Sequence, residues 1–151
     1  PRHPCVCHPR AIQQYRHRIS GPLLDRIDLQ VAVDPVDPKA LRSARPGESS
    51  AAVRERVIGA RQVQLDRLKY RGITCNAHMR PGELLRFCGL DSQANALLSA
   101  ALDKLGLSAR AHDRILKVAR TIADLDHCDG IRAPHIAEAI QYRSLDRQLW
   151  L

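Results

Sequence analysis

The sequence is poor in aromatic side chains: only 3% of its 151 residues are Phe, Trp or Tyr, although 44% are hydrophobic. The core must therefore be built from Leu, Ile, Val and Ala, which suits packed helices better than a β-sandwich. A secretory leader and an apolar run of membrane length are also missing, and the five cysteines are irregularly spaced. We therefore expect a cytoplasmic protein, away from the membrane and without a disulfide framework.

Motifs of a complete catalytic site are absent as well. The chain contains no GxxxxGK[ST] phosphate loop, no GxGxxG, no HExxH and no GxSxG. It also lacks internal repeats and low-complexity segments. We therefore do not expect this chain to act as an enzyme by itself.

Acidic residues are few compared with basic ones, so the net charge is +8, and 20 of the 24 basic residues are arginine. This balance indicates an anionic partner such as nucleic acid, nucleotide or an acidic surface. A GC-rich genome is the simpler explanation of the arginine preference. Phosphate recognition by the planar guanidinium is the alternative.

The pattern along the chain divides it into three parts. In residues 27–33, IDLQVAV, apolar and more polar positions alternate, which predicts one half-buried strand whose sheet partners this chain does not supply. Residues 34–48 are rich in Pro, Asp and Ser and predict a linker. Residues 49–151 have helical periodicity and predict a small helical bundle.

Five helices are predicted in this bundle from apolar side chains at 3–4-residue spacing and from capping residues. In chain order, they begin at Ser49 or Ser50, near Glu83, at Asp91 or Ser92, at Ser108 and at Pro134. Glycines end the first four: Gly72, Gly89, Gly106 and Gly130. The amphipathic C-terminal tail is expected to place Trp150 over one end of the bundle.

The outer face of the first predicted bundle helix carries a set of basic side chains: Arg54, Arg56, Arg61, Arg67, Lys69 and Arg71. A solvated charged face is one interpretation, and a track along DNA is the other. Since no aromatic side chains alternate with these positions, the pattern is not that of a base-stacking platform for single strands.

The segment SGPLLDRIDL, residues 20–29, places Arg26 between Leu24 and Ile27 on a stretch otherwise suited to burial. It resembles the arginine-finger segment of AAA+ ATPases of the magnesium-chelatase and MCM-helicase group, and most closely the ComM/YifB (competence protein M) family. The resemblance continues through VRERVIGARQVQLDR, LSARAHDRILKVARTIADL and HIAEAIQYRSLDR. It covers nearly the whole chain.

The resemblance implies that this chain is the C-terminal part of a longer ATPase, expected to form a hexameric ring. Residues 1–33 would then end the α/β AAA+ core with its last strand, poorly ordered alone, and residues 49–151 would form the all-α lid. The phosphate loop and the residues for ATP and Mg²⁺ would lie upstream. The family's expected output is helicase-like DNA translocation or branch migration in natural transformation.

Two other functions stay open at this point. The first is a magnesium chelatase, in which the ATPase drives metal insertion into a porphyrin by a separate subunit. The second is a free-standing helical interaction module. Salt-dependent DNA binding, a response to a porphyrin-binding partner, and the absence of any nucleotide response would distinguish the three.

The resemblance also implies roles for single residues. Arg26, held by burial of Leu23, Leu24 and Ile27, would reach into the ATP site of the neighbouring protomer, where a guanidinium stabilises the transition state. A local ion pair between Asp25 and Arg26 is the alternative. Arg110, in the first turn of the predicted fourth helix, would be the sensor-2 arginine that contacts nucleotide phosphates.

The resemblance also gives roles to Arg114 and to Cys5 and Cys7, whereas the other positions are judged from the residues alone. Arg114 is the second choice for sensor 2, and Arg120 is expected to be a surface or packing arginine. Cys5 and Cys7 would supply half of a four-cysteine zinc site, whose other half lies upstream, with His3 and His8 nearby in HPCVCH. The other cysteines, Cys75, Cys88 and Cys128, are expected to be core or loop thiols.

Overall fold

The computed structural model describes residues 5–33, 36 and 47–143. In this part of the chain the helices are α1 (Pro9–Arg16), α2 (Gly21–Leu24), α3 (Ser50–Leu68), α4 (Pro81–Phe87), α5 (Ser92–Leu105), α6 (Ala109–Leu125) and α7 (Ala133–Gln141). Short 3₁₀ turns cover Lys69–Arg71 and Asn76–His78. The predicted mainly helical fold is confirmed. The prediction for Trp150 and most of the predicted linker lie outside the described residues.

The predicted capping residues begin three of the bundle helices. The side-chain oxygens of Ser49, Asp91 and Ser108 accept hydrogen bonds from the backbone N–H three residues further on, at 3.3, 2.7 and 3.1 Å. Gly106 ends α5 with φ 59°, and Gly72 ends the 3₁₀ extension of α3 with φ 65°. Both values lie in the left-handed region that glycine adopts without strain.

The end of α6 was predicted at Gly130 and lies earlier, at Leu125. His127 adopts a left-handed conformation with φ 54°, and the N–H of Cys128 bonds to the carbonyl of Ala123 at 2.8 Å. This is the hydrogen bond of a Schellman motif, which closes a helix end with a left-handed residue. A non-glycine residue at this position gives no strong signal in the sequence.

Helix α6 lies at the centre of the bundle, in contact with α3, α4 and α7, while α5 packs against α7. The described core is formed by aliphatic and sulfur-containing side chains: Leu68, Met79, Leu84, Cys88, Ala94, Leu98, Ile115, Leu116, Ala119, Ile122, Ala123, Ile131, Ile136 and Ala139. The predicted inward positions Ile115, Ala119 and Ile122 are buried. The composition of the core agrees with the low aromatic content of the sequence.

A polar cluster centred on Asp124 is also buried in the bundle. The Asp124 carboxylate, with no exposed side-chain surface, pairs with Arg67 and with Arg120, 3.0 Å away, and accepts a hydrogen bond from Asn76 at 2.8 Å. Arg120 also donates to two backbone carbonyls of the loop after α6, at 2.6 Å each. Arg120 is therefore a packing arginine, as expected. Arg67, predicted on the outer face of α3, instead points inward to Asp124.

The strand predicted over residues 27–33 is absent from the described structure. The backbone N–H of Gln30 donates to the carbonyl of Tyr142 at 2.8 Å, but no strand ladder forms. Val31 and Val33 are 63% and 86% exposed. The alternating pattern fits an extended chain, yet a strand also needs a neighbour to pair its backbone groups.

Amide hydrogen exchange should reveal this backbone hydrogen bond. The amide of Gln30 is expected to exchange slowly because it is bonded to Tyr142, whereas the amides of Val31, Ala32 and Val33 should exchange at nearly unprotected rates. NMR-detected exchange of the 151-residue chain would measure this. Uniform protection across Leu29–Val33 would show that the segment has found a strand partner.

Replacing Asp124 with Asn should strongly destabilise the bundle, because two guanidinium groups lose the buried charge that balances them. Breaking a buried ion pair costs about 3–5 kcal/mol. Asp66→Asn is the matched control, since the Asp66 carboxylate is at the surface, 3.9 Å from Lys69, and accepts a hydrogen bond from Gln62 at 3.2 Å; there the expected change is below about 1 kcal/mol. Urea denaturation compares the two. Equal unfolding free energies would contradict a structural role for the cluster.

Candidate functional site

The segment from Ser20 to Gln30 lies against the start of α6 and the end of α7. Helix α2 begins after Ser20 with a proline in its first turn, where a missing N–H costs nothing. Its last residue, Leu24, is buried. After Leu24 the chain forms a loop that ends at Gln30. The side-chain amide of Gln30 donates a hydrogen bond to the Leu24 carbonyl at 3.4 Å. The residues of interest lie in the loop between Leu24 and Gln30.

Asp25 joins this loop to both helices. Its carboxylate oxygens accept the Ser108 hydroxyl at 2.8 and 3.1 Å, and Ser108 is the residue that caps α6. Arg143 lies 3.4 Å and Arg110 3.7 Å from the same carboxylate. A carboxylate beside the N-terminus of a helix is also favoured by the helix dipole. Asp25 is therefore an electrostatic link between the loop and the bundle.

The two predicted sensor-2 arginines lie one turn apart on α6, and the structure brings both to this loop. Arg114 forms an ion pair with Asp28, and its side chain is 26% exposed. Arg110 is 54% exposed, and its contact with Asp25, at 3.7 Å, is longer than a hydrogen bond. Of the two, Arg110 has the more accessible guanidinium for a phosphate.

Arg26 lies at the surface of the same loop. Its guanidinium donates to the carbonyl of Pro22, 3.2 Å away and within its own segment. In the part of the chain that the structure describes, no carboxylate forms an ion pair with Arg26. The alternative prediction of a local ion pair with Asp25 is therefore wrong, because Asp25 pairs with Arg110 and Arg143 instead.

The expected burial around Arg26 is only partly correct. Leu24 is 6% exposed, but Leu23 and Ile27 are 48% and 39% exposed. In a helical turn Leu23 points about 100° away from Leu24, and here only Leu24 faces the bundle. Arg26 is therefore not held by a surrounding of buried apolar side chains. The polar contacts of its neighbours hold the loop.

Arg143 was missed by the sequence reasoning. It follows α7 by two residues, is 2% exposed, and donates to the Ile27 carbonyl at 2.8 Å. An isolated arginine after a helix has no periodic or motif signal that predicts burial. Its partners lie 116 and 118 residues away in the sequence, at Ile27 and Asp25, so tertiary packing alone brings them together.

The region of the predicted zinc half-site is exposed. Cys5 and Cys7 are both at the surface, and His8 caps α1 by accepting the N–H of Arg10 at 3.3 Å. Hydrogen bonding with Cys7 lowers the pKa of the Cys5 thiol and raises that of Cys7. No group of three or more possible metal ligands occurs in residues 5–33, 36 and 47–143, and His3 lies outside them. Zinc binding stays a prediction.

The remaining cysteines agree with their expected places. Cys88 is buried in the core, and burial raises the pKa of its thiol to about 11. Cys75 and Cys128 are half-buried. Arg54 on α3 and Lys69 and Arg71 in the 3₁₀ turn after it are exposed. Arg56 is also exposed, and it pairs with Glu48. None of the helices among the described residues has the length and apolar character to cross a membrane.

Comparison with known families and proteins adds to these observations. The family described as magnesium chelatase, subunit ChlI C-terminal, matches residues 47–143. The family described as magnesium chelatase, subunit ChlI, matches residues 1–41. The first match alone covers more than half of the chain.

Individual relatives are similar over almost the full sequence. The chain is 44% identical over 145 residues to the uncharacterized protein YifB of Escherichia coli, covering 95% of this chain and 28% of that protein. It is 44% identical over 142 residues to competence protein ComM of Haemophilus influenzae, covering 93% and 27%. An uncharacterized Mycobacterium bovis protein is 39% identical over 140 residues, covering 92% and 27%.

The chain thus spans somewhat more than a quarter of the length of these relatives. The matched ranges contain the loop that carries Arg26 and the helix that carries Arg110. From the family matches and these identities, we conclude that the chain belongs to the magnesium chelatase subunit ChlI family and has ComM and YifB among its relatives.

Proposed function

We propose that this chain is the C-terminal part of a ring-forming ATPase, a homo-hexamer, and that it supplies arginines to ATP hydrolysis. Arg26 acts as an arginine finger in the ATP site of the neighbouring protomer. Arg110, with Arg114 as the second choice, contacts nucleotide phosphates. The phosphate loop and the Mg²⁺-binding residues lie in other parts of the full-length protein, so the isolated chain has no ATPase activity.

The accessibility of Arg26 is the observation that carries this proposal. Four arginines meet at the loop, and three of them contact carboxylates: Arg110, Arg114 and Arg143. Arg26 is exposed and its described hydrogen bond goes to a neutral carbonyl. A guanidinium without a charged partner gives up only a weak interaction when it moves to a phosphate. With the phosphate it forms stronger, charge-assisted hydrogen bonds.

The chemistry of phosphoryl transfer explains why such a group would be needed. Negative charge is spread over the transferred phosphoryl oxygens in the transition state, and a fixed cation stabilises it. In the well-studied GTPases this contribution is worth roughly 10³–10⁵ in rate. A lysine at position 26 would supply the charge but not the planar fork that engages two oxygens.

The position of Arg110 supports its part in the proposal. It lies in the first turn of α6, where free backbone N–H groups and the helix dipole favour an anion. A positive side chain there is unfavourable for the helix itself, which suggests another use. Because its contact with Asp25 is long and half of its side chain is exposed, it can turn to a phosphate at small cost.

We propose DNA remodelling as the output of the ring. One relative is named a competence protein, and the net charge of +8 favours an anionic partner. Exposed basic side chains on and after α3 supply a candidate contact surface, namely Arg54, Lys69 and Arg71. The family description also names magnesium chelatase, so metal insertion into a porphyrin is the second candidate.

Arg26→Ala in the full-length protein should lower kcat for ATP at least 10³-fold, because the transition state loses its cation. ATP binding and ring assembly should be unchanged. Arg26→Lys should recover only a small part of the rate. Arg86→Ala, a change of an exposed arginine on α4, is the control and should leave turnover as it is. Normal turnover of Arg26→Ala would remove the proposed finger.

Mixed rings test whether Arg26 acts on a neighbour. An Arg26→Ala protomer and a protomer whose own ATP site is inactivated should each be inactive alone. Together they form interfaces with an intact site and an intact Arg26, so activity should return. Absence of recovery in assembled mixed rings would show that Arg26 serves its own protomer.

DNA binding by the full-length protein should weaken steeply with salt, because each phosphate contact releases counterions. Replacing Arg54, Lys69 and Arg71 together with Ala should lower the slope of log K against log salt by about 0.9 per lost contact. Arg86→Ala should leave it unchanged. ATPase activity that responds to a porphyrin-binding partner, without salt-dependent DNA binding, would favour the second candidate.

A further inference from the structure

Arg143 holds the chain on both sides of Arg26. Its side chain is 1% exposed, and one nitrogen donates to the carbonyl of Ile27 at 2.8 Å. The other lies 3.4 Å from the carboxylate of Asp25. Asp25 and Ile27 are the residues directly before and after Arg26. A single buried guanidinium therefore fixes both flanks of the exposed one.

The other contacts of the loop also go to the helical domain. Asp25 accepts the hydroxyl of Ser108 at the start of α6, and the N–H of Gln30 bonds to the carbonyl of Tyr142 at the end of α7. Arg26 itself bonds only within α2 among its described contacts. The place of the Arg26 backbone is thus set by α6 and α7.

The burial of Arg143 calls for a reason beyond stability. Removing a guanidinium from water is costly, and well-packed apolar residues of similar size are often equally or more stabilising at such places. The forked group can, however, bond a carbonyl and a carboxylate at once with a fixed geometry. That geometry is suited to holding two neighbouring points of a loop at a set distance.

We propose that Arg143 and Asp25 form a clamp that positions Arg26 for the ATP site of the neighbouring protomer. Arg143 is then a positioning residue, which acts through Arg26 without touching the nucleotide. This inference rests on the proposed role of Arg26. It predicts a loss of rate rather than of ATP affinity, since a displacement of about 1 Å from productive geometry can cost about 10²-fold in rate.

The test uses the full-length ring with Arg143→Gln and Arg143→Lys. For Arg143→Gln, kcat for ATP should fall about 10- to 100-fold, while KM and ring assembly stay the same. Arg143→Lys retains a donor for one of the two partners and should lie between Arg143→Gln and the wild type. Unchanged kcat in both variants would overturn the clamp.

Arg120→Gln is the matched control for a purely structural effect. Arg120 is as buried as Arg143, at 2% exposed, and it also bonds a carboxylate and backbone carbonyls, but its partners are remote in sequence from the Arg26 loop. The control should lower stability and leave kcat of the folded ring unchanged. An equal loss of kcat in Arg120→Gln would overturn the positioning role.

A double-mutant cycle gives the decisive readout. If Arg143 acts through Arg26, adding Arg143→Gln to Arg26→Ala should cause no further loss of kcat. Two losses that multiply would show that Arg143 acts independently, which overturns the clamp. Should Arg143→Gln fail to fold, Arg143→Lys takes its place in the cycle, and the same non-additivity is expected.

The cycle also separates the two proposals. Normal kcat in Arg26→Ala refutes the arginine finger and the clamp with it. An inactive Arg26→Ala together with a fully active Arg143→Gln refutes the clamp alone.

Discussion

The contact between the Asp25 carboxylate, the Ser108 hydroxyl and the buried Arg143 guanidinium joins the two ends of the described chain. It connects residues that are up to 118 positions apart. Without it, the segment from Ser20 to Gln30 would be attached chiefly through Leu24, the ion pair of Asp28 with Arg114, and the hydrogen bond from Gln30 to Tyr142. Since residues 27–33 form no strand here, polar contacts decide where this segment lies.

Helix α6 uses its arginines in two opposite ways. Arg120, deep in the bundle, is neutralised by Asp124 and also donates hydrogen bonds to two backbone carbonyls. Arg110, near the N-terminus, remains half exposed, with a distant carboxylate. The same residue type therefore stabilises the interior at one end of the helix and leaves positive charge accessible at the other. Burial, and not residue identity, separates these roles.

In the proposed ring, this arrangement would couple Arg110 to the Arg26 loop through Asp25. Asp25 touches both the capping residue of α6 and the arginine that brackets the Arg26 loop. In the proposed ring, a shift of α6 that accompanies nucleotide contact at Arg110 would be passed to the loop through Asp25. One rigid domain would then connect a protomer's own nucleotide with the site of its neighbour. The contacts of Asp25 with Ser108 and Arg143 form a contiguous network through which such coupling would be carried.

Much of the helical bundle could be predicted because helix formation depends on nearby residues. The caps at Ser49, Asp91 and Ser108 and the glycine at the end of α5 act within one turn of the chain, so the sequence shows them directly. The end of α6 was misplaced where His127 adopts a conformation that only its surroundings support. Capping residues and glycines thus located the helices. The prediction failed at the end of α6, where a non-glycine residue adopts the left-handed conformation.

The candidate site divides in the same way. Arg26, Arg110 and Arg114 could be selected from the amino-acid sequence, through the resemblance of their segments to a family. Their charge partners could not, nor could the burial of Arg143 or the inward turn of Arg67. Residues 27–33 carry the alternating pattern of a strand but form no strand here, because the pattern is local whereas pairing needs sheet partners that this chain was expected to lack. Amino-acid patterns within a few residues are enough to place most of the helices and to identify the arginines. Which of those arginines are neutralised depends on the packed fold, because ion pairs join groups that packing brings together from distant parts of the chain.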